Sequence, residues 1–233
     1  MKKITITQIS EKKIKAGNPL LQMEDFPNEL SFDEGELVEL VDSRQKFVAK
    51  AYLAKQNKGV GWVFSLDNAD SFNEAFFKKQ FEKAKRKRTD LQSDPETTTY
   101  RLFNAEGDGI PGVTIDHYDG FAVVSWYSEG IFRYQTAIIA AFQAVFPETK
   151  GIYEKFRYQR KDGLISRYVR GDAAPTPLIV KENGINYATY LDDGLMTGIF
   201  LDQREVRGAL TERYAAGKRV LNTFSYTGAF SVA

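Results

Sequence analysis

The stretch Lys218-Arg219-Val220-Leu221-Asn222-Thr223-Phe224-Ser225-Tyr226-Thr227-Gly228-Ala229-Phe230-Ser231 reads as a short strand over 218–222, a small polar loop and the start of a helix. Backbone N–H groups in such a loop can face an anionic or polar ligand, and Gly228, lacking a Cβ, permits close approach. One glycine is far weaker than a full dinucleotide-binding fingerprint, so alone the loop leaves ligand binding and plain chain reversal as equal readings. The strand–loop–helix order nevertheless sets the fold class here: the opening of an α/β nucleotide-binding sheet. One strand and part of one helix cannot bury a parallel sheet, so the expectation is a natural protein that continues past Ala233.

Working back from that unit, Pro175 and Pro177 mark a boundary, and runs at 178–182 and 185–190 flank Asn183-Gly184, a strong hairpin signal. A helix after Gln203 carries Val206, Leu210 and Tyr214 on one face, with Gly217 just past its end. Residues 175–233 are expected to begin a Rossmann-like domain. Residues 99–174 read as a separate α+β domain of strand-strand-helix-strand-strand type. Strands fall at 99–103, 113–116, 121–126 and 151–156, around a helix over about 132–146 ended by Pro147, with room for another strand before Ala174. Asp108 and Asp116 read as turn residues, and the lone His117 as structural or exposed.

Residues 1–72 look like a small β-rich domain, with strands at 37–41, 47–52 and 60–64 and an alternating run over 1–9 that also reads as a strand. From Glu24 to Asp42 there are eight acidic residues and no basic ones, which reads as a solvated face. Trp62 reads as core ahead of a base-stacking platform. Residues 73–98 form a helix and linker. Ser71 and Glu74 match a capping box, Phe77, Phe81 and Ala84 share a face, and 91–98 is polar. Over 78–88 seven Lys or Arg face a single Glu. Lys83, Lys85, Arg86, Lys87 and Arg88 are therefore candidates for RNA phosphate binding, balanced against a solvated helix end whose cations complement the helix dipole.

Composition bounds the rest. The chain has 233 residues, 42% hydrophobic and 27% charged, as a folded protein does. With 32 Lys plus Arg against 31 Asp plus Glu, no large whole-molecule field attracts nucleic acid, though a local patch can. Cysteine is absent and histidine occurs once, which excludes disulfides, iron–sulfur clusters, a cysteine nucleophile and any Cys- or multi-His-ligated metal within these residues. No metal is expected. The start lacks the continuous apolar core of a signal peptide and no run spans a membrane, so a cytoplasmic location is expected.

The stretch Asn222 to Ser231 resembles motif I of class I S-adenosylmethionine-dependent methyltransferases. More narrowly, the chain is similar to the ribosomal RNA large subunit methyltransferase I family of cytosine-C5 methyltransferases. The likeness extends over nearly the whole chain through Thr197-Gly198-Ile199-Phe200-Leu201-Asp202-Gln203-Arg204, Arg101-Leu102-Phe103-Asn104-Ala105-Glu106-Gly107-Asp108-Gly109-Ile110-Pro111-Gly112 and Gly61-Trp62-Val63-Phe64. The resemblance implies an N-terminal PUA-like RNA-binding barrel over 1–72, the basic helix and linker over 73–98, the central domain over 99–174 and the beginning of the methyltransferase domain over 175–233. Where relatives carry a Gly-His-Pro-Trp-like loop, this chain reads Gly17-Asn18-Pro19-Leu20.

The resemblance further implies an enzyme in rRNA processing, with S-adenosylmethionine as cofactor and ribosomal RNA as partner, and a homodimer as one assembly. Asn222, Thr223, Phe224, Ser225, Tyr226, Thr227 and Gly228 would line the cofactor, with Gln203 reading its amino-acid end and Arg204 or Arg207 pairing with its carboxylate or with RNA phosphate. Surface salt bridging to Glu205 or Glu212 is the equal alternative for those arginines. No catalytic residue is assigned; the catalytic cysteine is expected beyond Ala233. The rivals are a non-catalytic RNA-binding module and an RNA methyltransferase acting on a guanine nitrogen.

Overall fold

The computed structural model describes residues 1–56 and 58–233. The first unit holds β1 (Lys2–Thr5), α1 (Gln8–Lys15), β2 (Leu20–Leu21), β3 (Leu37–Val41), β4 (Phe47–Gln56) and β5 (Gly59–Ser65). Its strands form one sheet in the order β1-β3-β4-β5-β2, with β1 parallel to β3. The alternating run over 1–9 is strand only to Thr5. The Thr7 hydroxyl then accepts the Ser10 N–H at 3.2 Å and starts α1, so helical spacing takes over and Ile14 joins Ile6 in the core. One residue of the acidic run is not solvated: Asp25 is buried, accepts from Ser10 Oγ at 2.7 Å and pairs with Lys13 Nζ at 3.2 Å.

Trp62 is core, stacked on Tyr52 at 5.4 Å between centroids. The helix α2 (Glu74–Lys87) is capped by Asn73, whose side chain accepts the Phe76 N–H at 3.1 Å, rather than by Ser71. A capping side chain must sit one residue before the first helical turn, and Asn73 holds that place. A short α3 (Thr89–Ser93) occupies part of the expected linker. Phe76, Phe77 and Phe81 of α2 enter a single core with Tyr52, Trp62 and Phe64 on one side and the central domain on the other. The helix therefore joins the two units by apolar burial.

The central domain contains β6 (Thr99–Asn104), α4 (Ala105–Asp108), β7 (Val113–Tyr118), β8 (Phe121–Trp126), α5 (Glu129–Phe132), α6 (Gln135–Val145), β9 (Gly151–Phe156) and β10 (Ser166–Gly171). The sheet order is β10-β9-β8-β7-β6. Three strands precede α5 and α6, one more than the strand-strand-helix-strand-strand shorthand allows, and the short α4 lies between the first two. Asp119-Gly120 turns β7 directly into β8, while β8 and β9 run parallel and need the helical crossover. Helices α2 and α6 cover one face, with Phe81 and Phe142 rings 5.7 Å apart. At the seam with the first unit, Gly112 holds φ +75 and Tyr52 Oη donates to Pro111 O at 3.0 Å.

Strand alternation assigns the other face. Asp116 and Tyr118 of β7, Val123 and Ser125 of β8, and Tyr153 and Lys155 of β9 all point there. Tyr118, Val123 and Tyr153 pack against β11 (Leu178–Glu182) and β12 (Ile185–Thr189) through Val180 and Tyr187. The hairpin turns at Asn183 and Gly184 with φ +49 and +82, the left-handed pair a two-residue turn requires.

After the hairpin come α7 (Arg204–Ala209), a wider helical turn over Leu210–Tyr214, and α8 (Ala229–Val232). Two expectations change here. Residues 218–222 form no strand: they have no ladder partner among the described residues, and Leu221 is 87% exposed. The Val206 and Tyr214 stripe faces solvent, while Arg207, on another face of the same helix, is the buried residue. No helix among the described residues is long and apolar enough to cross a membrane.

Candidate functional site

The loop over 195–203 folds back against 222–230. Thr227 Oγ1 donates to Gly198 O at 2.7 Å, and the Phe200 and Tyr226 rings lie 5.3 Å apart. Asn222 Nδ2 donates to Ser231 Oγ at 2.8 Å, which ties the two ends of the second loop. Between them lies a cleft of about 230 Å³ whose wall includes Gln203, Asn222, Thr223, Phe224, Ser225, Tyr226 and Thr227. Residues nineteen positions apart in sequence thus converge on one space. Phe224 and Tyr226 hold φ of +57 and +53, a conformation that costs a bulky residue energy and that recurs at ligand-binding loops.

Two residues expected at this site lie outside the wall. Arg204 turns aside and pairs with Glu205 at 2.6 Å, the surface alternative. Gly228 sits behind the cleft at φ +82, where a Cβ would meet nothing within 4 Å. Arg207 lines the cleft but is committed elsewhere. Its guanidinium donates to both oxygens of Glu182 at 2.7 and 2.9 Å and to Phe200 O at 2.8 Å, with both side chains buried. This fork fastens α7 to the hairpin and to the loop that carries Phe200.

A second cleft of about 460 Å³ lies on the open face of the central sheet and shares Ile199, Phe200 and Tyr226 with the first. Its floor holds Asp116, Ser125 and Lys155, placed there by alternation on three strands. Asp116 lies on β7 rather than in a turn, and Arg101 pairs with it. Burial raises the Asp116 carboxyl above its usual range in spite of that pair. Lys155 Nζ donates to Gly194 O at 2.6 Å, and burial, aided by the nearby Arg157 charge, pushes its pKa down to about 8. Tyr118 Oη and Thr197 Oγ1 share a hydrogen bond of 2.8 Å at the rim. Sequence reading passed over Lys155 and Arg157. Register across 113–118, 121–126 and 151–156 was the signal that could have grouped the floor residues.

Helix α2 spends much of its charge internally. Lys85 donates to Val145 O at 2.9 Å and lies over the Phe146 ring. Lys87 and Arg88 pair with Asp108 at 2.9 and 2.6 Å, and Arg88 also donates to Arg101 O. Burial pushes the Asp108 carboxyl up, but these hydrogen bonds outweigh it and hold the group below its usual range. Asp108 is therefore an anchor and not simply a turn residue. Lys83, bonded to Gln80 Oε1 at 3.3 Å, and Arg86 remain exposed. His117 stacks on Tyr100 at 5.0 Å, and its Nε2 accepts the Gly120 N–H at 3.2 Å. Among the described residues no group of three or more His, Cys, Asp or Glu could hold a metal ion.

Comparison with known proteins agrees with this layout. A PUA-like domain family matches residues 4–66, and an S-adenosylmethionine-dependent methyltransferase family matches 132–233. The fold thus defines a class: a PUA-like domain joined to an S-adenosylmethionine-dependent methyltransferase fold. The chain is 45% identical over its whole length to the Bacillus subtilis protein named "Putative ribosomal RNA large subunit methyltransferase YwbD", covering 60% of that relative. It is 36% identical to ribosomal RNA large subunit methyltransferase I of Cronobacter sakazakii, over 85% of this chain and 50% of that one. A solved structure, "SMU.776, a putative methyltransferase complexed with SAH", superposes with a TM-score of 0.92 at 46% identity, covering 99% of this chain and 59% of that one. The chain is thus similar to ribosomal RNA large subunit methyltransferases over most or all of its length, and spans between half and 60% of the length of those curated relatives.

Proposed function

We propose that this chain serves an S-adenosylmethionine-dependent methyltransferase that modifies large-subunit ribosomal RNA in the cytoplasm, with cytosine C5 as the atom methylated. The observation that carries the reading is the convergence of Gln203 with Asn222–Thr227 on one cleft, beside an aromatic wall shared with a second, cationic cleft. The residues present suit the cofactor. Gln203 offers both a donor and an acceptor to an amino-acid end, and the loop over Thr223–Thr227 lines the same cleft. Bound there, the cofactor supplies an electrophilic methyl group.

The chain's own residues then bind and orient. Phe200 and Tyr226 border both the cofactor space and the nucleotide space and can stack on either occupant. Exposed Lys83 and Arg86 on α2 can meet RNA phosphate, while Lys85, Lys87 and Arg88 mainly fix the helix to its neighbours. Cytosine C5 is a poor nucleophile, and the family's chemistry activates it by adding a cysteine thiolate at C6. With no cysteine in its 233 residues, this chain alone does not supply that step. The homodimer rests on the family resemblance alone.

Calorimetric titration with S-adenosylhomocysteine tests the cofactor reading. Gln203→Ala is expected to leave a polar partner unpaired, a loss of roughly 1–3 kcal/mol or 5- to 150-fold in affinity. Unchanged affinity in a folded Gln203→Ala protein refutes the assignment of this cleft.

A further inference from the structure

The two clefts belong to a longer depression. The cleft on the central sheet shares Tyr127 and Arg157 with a third hollow of about 950 Å³, bordered by Lys55 and Lys58 at the β4–β5 end of the first unit. We propose that a single strand of RNA follows this depression from Lys58 past Tyr127 and Arg157, and that its target nucleotide sits unstacked over Lys155, against the Phe200–Tyr226 wall. This rests on the RNA methyltransferase reading and adds to it the strand's path and the seat of the base.

Three observations support it. The first is the state of the cations. Lys155 is 1% exposed, and the hydrogen bonds of its ammonium go to the Gly194 and Met196 carbonyls, with no carboxylate among them. The Asp192 and Asp193 charges favour the ammonium and Asp116 shares the floor, but none of them forms an ion pair with it, so an anionic or carbonyl-rich guest can still bond the Lys155 ammonium directly. Arg157 likewise bonds Leu195 O at 2.8 Å and presents an exposed side chain. The contrast with Lys87 and Arg88, both on the Asp108 carboxylate, is direct.

The second is aromatic. Tyr127 borders both the sheet cleft and the outer hollow, and Tyr226 is 57% exposed at the inner end. Stacking on such rings is how proteins hold unpaired bases without a duplex. The third is adjacency. The sheet cleft, at about 460 Å³, is in the range of small-molecule sites, and its inner wall is also the wall of the proposed cofactor space. A base lodged there meets the cofactor space at the edge that Ile199, Phe200 and Tyr226 share, as direct transfer of a methyl group requires. A base inside a duplex cannot reach such a recess, so the strand must be open at the target.

The test is binding of a fluorescein-labelled 12-nucleotide oligocytidylate to the full chain over a salt series. Lys58→Gln, Arg157→Gln and Lys155→Met are each expected to flatten the log–log salt slope by roughly 0.7. Tyr226→Ala is expected to weaken binding roughly 5- to 150-fold, the equivalent of one lost stacking contact. Lys12→Gln, exposed on α1 away from the depression, is the control for a general charge effect. Circular dichroism confirms the fold of each variant, and Lys155→Met keeps volume while removing a buried charge. Unchanged slopes in all three depression variants, with a flattened slope in Lys83→Gln or Arg86→Gln, overturn the path while leaving the RNA reading intact. No binding by the unsubstituted chain overturns both.

Discussion

Replacing Arg207 with Met removes a guanidinium that is 2% exposed and leaves Glu182, at 1%, as a buried carboxylate with its counter-charge gone. Three hydrogen bonds go with it: the two to Glu182, at 2.7 and 2.9 Å, and the one to Phe200 O, at 2.8 Å. Breaking one side of a buried ion pair costs about 3–5 kcal/mol, most of it the desolvation of the stranded partner. With a urea slope of roughly 2–3 kcal/mol/M for a chain of this size, the midpoint is expected to fall by about 1–2 M. The double variant Arg207→Met/Glu182→Leu removes the stranded charge as well and fills the space with apolar atoms. It is expected to recover at least about 2 kcal/mol of the loss. Because the fork also holds the Phe200 carbonyl, the single variant is further expected to weaken S-adenosylhomocysteine binding. Equilibrium urea denaturation of the unsubstituted chain, Arg207→Met, Glu182→Leu and the double variant gives the cycle. A single-variant cost below about 1 kcal/mol, or a double variant no more stable than the single, refutes the argument that this pair fastens α7 to the hairpin.

Arg88→Gln, which leaves the buried Asp108 carboxylate with the more exposed Lys87 as its remaining counter-charge, is expected to cost about 1–3 kcal/mol in urea denaturation, whereas exposed Arg86→Gln should stay within about 0.5 kcal/mol. Equal costs would contradict the division of α2 into anchoring and free cations. Gly112→Ala places a Cβ 2.5 Å from Tyr52 Oη at a φ of +75 and should cost about 1–3 kcal/mol, with partial rescue by Tyr52→Phe; thermal melts of the pair and the double variant decide it. His117 is held neutral, burial aided by the Lys150 charge bringing its pKa to about 4 against an ordinary 6.5. Between those values the unfolded chain binds a proton that the folded one refuses. The stability this confers is complete above pH 6.5 and is lost as pH falls through 4, by about 1–3 kcal/mol. His117→Phe keeps the stack on Tyr100 and should flatten that part of the melting profile; an unchanged slope would show that another group titrates.

The local grammar of the chain was legible wherever a segment's own residues decide its structure. Asn183-Gly184 turns because two residues must adopt positive φ, and those two side chains tolerate it. The alternating runs at 37–41 and 47–52 became strands, and Phe77, Phe81 and Ala84 were buried as their helical spacing required. Gln203 and the loop over 222–227 were readable as cofactor candidates by resemblance to a motif, and the fold brings them to one cleft. What sequence could not show was pairing across distance. Residues 218–222 have strand composition, yet a strand exists only when a neighbour takes its hydrogen bonds. The charge run over 83–88 looked uniform, but Asp108, twenty residues on, takes Arg88 and Lys87 and leaves Lys83 and Arg86 to solvent. Arg207 read equally as a partner for cofactor carboxylate or RNA phosphate and as a surface salt-bridging residue; its burial was not legible, because an arginine is buried only when a partner such as Glu182 is folded against it. Lys155 carried no local signal at all: its place on the cleft floor follows from the parity of three strands and the register that joins them. Composition, turns and periodicity are short-range and were fixed by the chain itself. Charge compensation and the shape of the clefts are long-range, and only the packed sheet and the loops folded over it decided them.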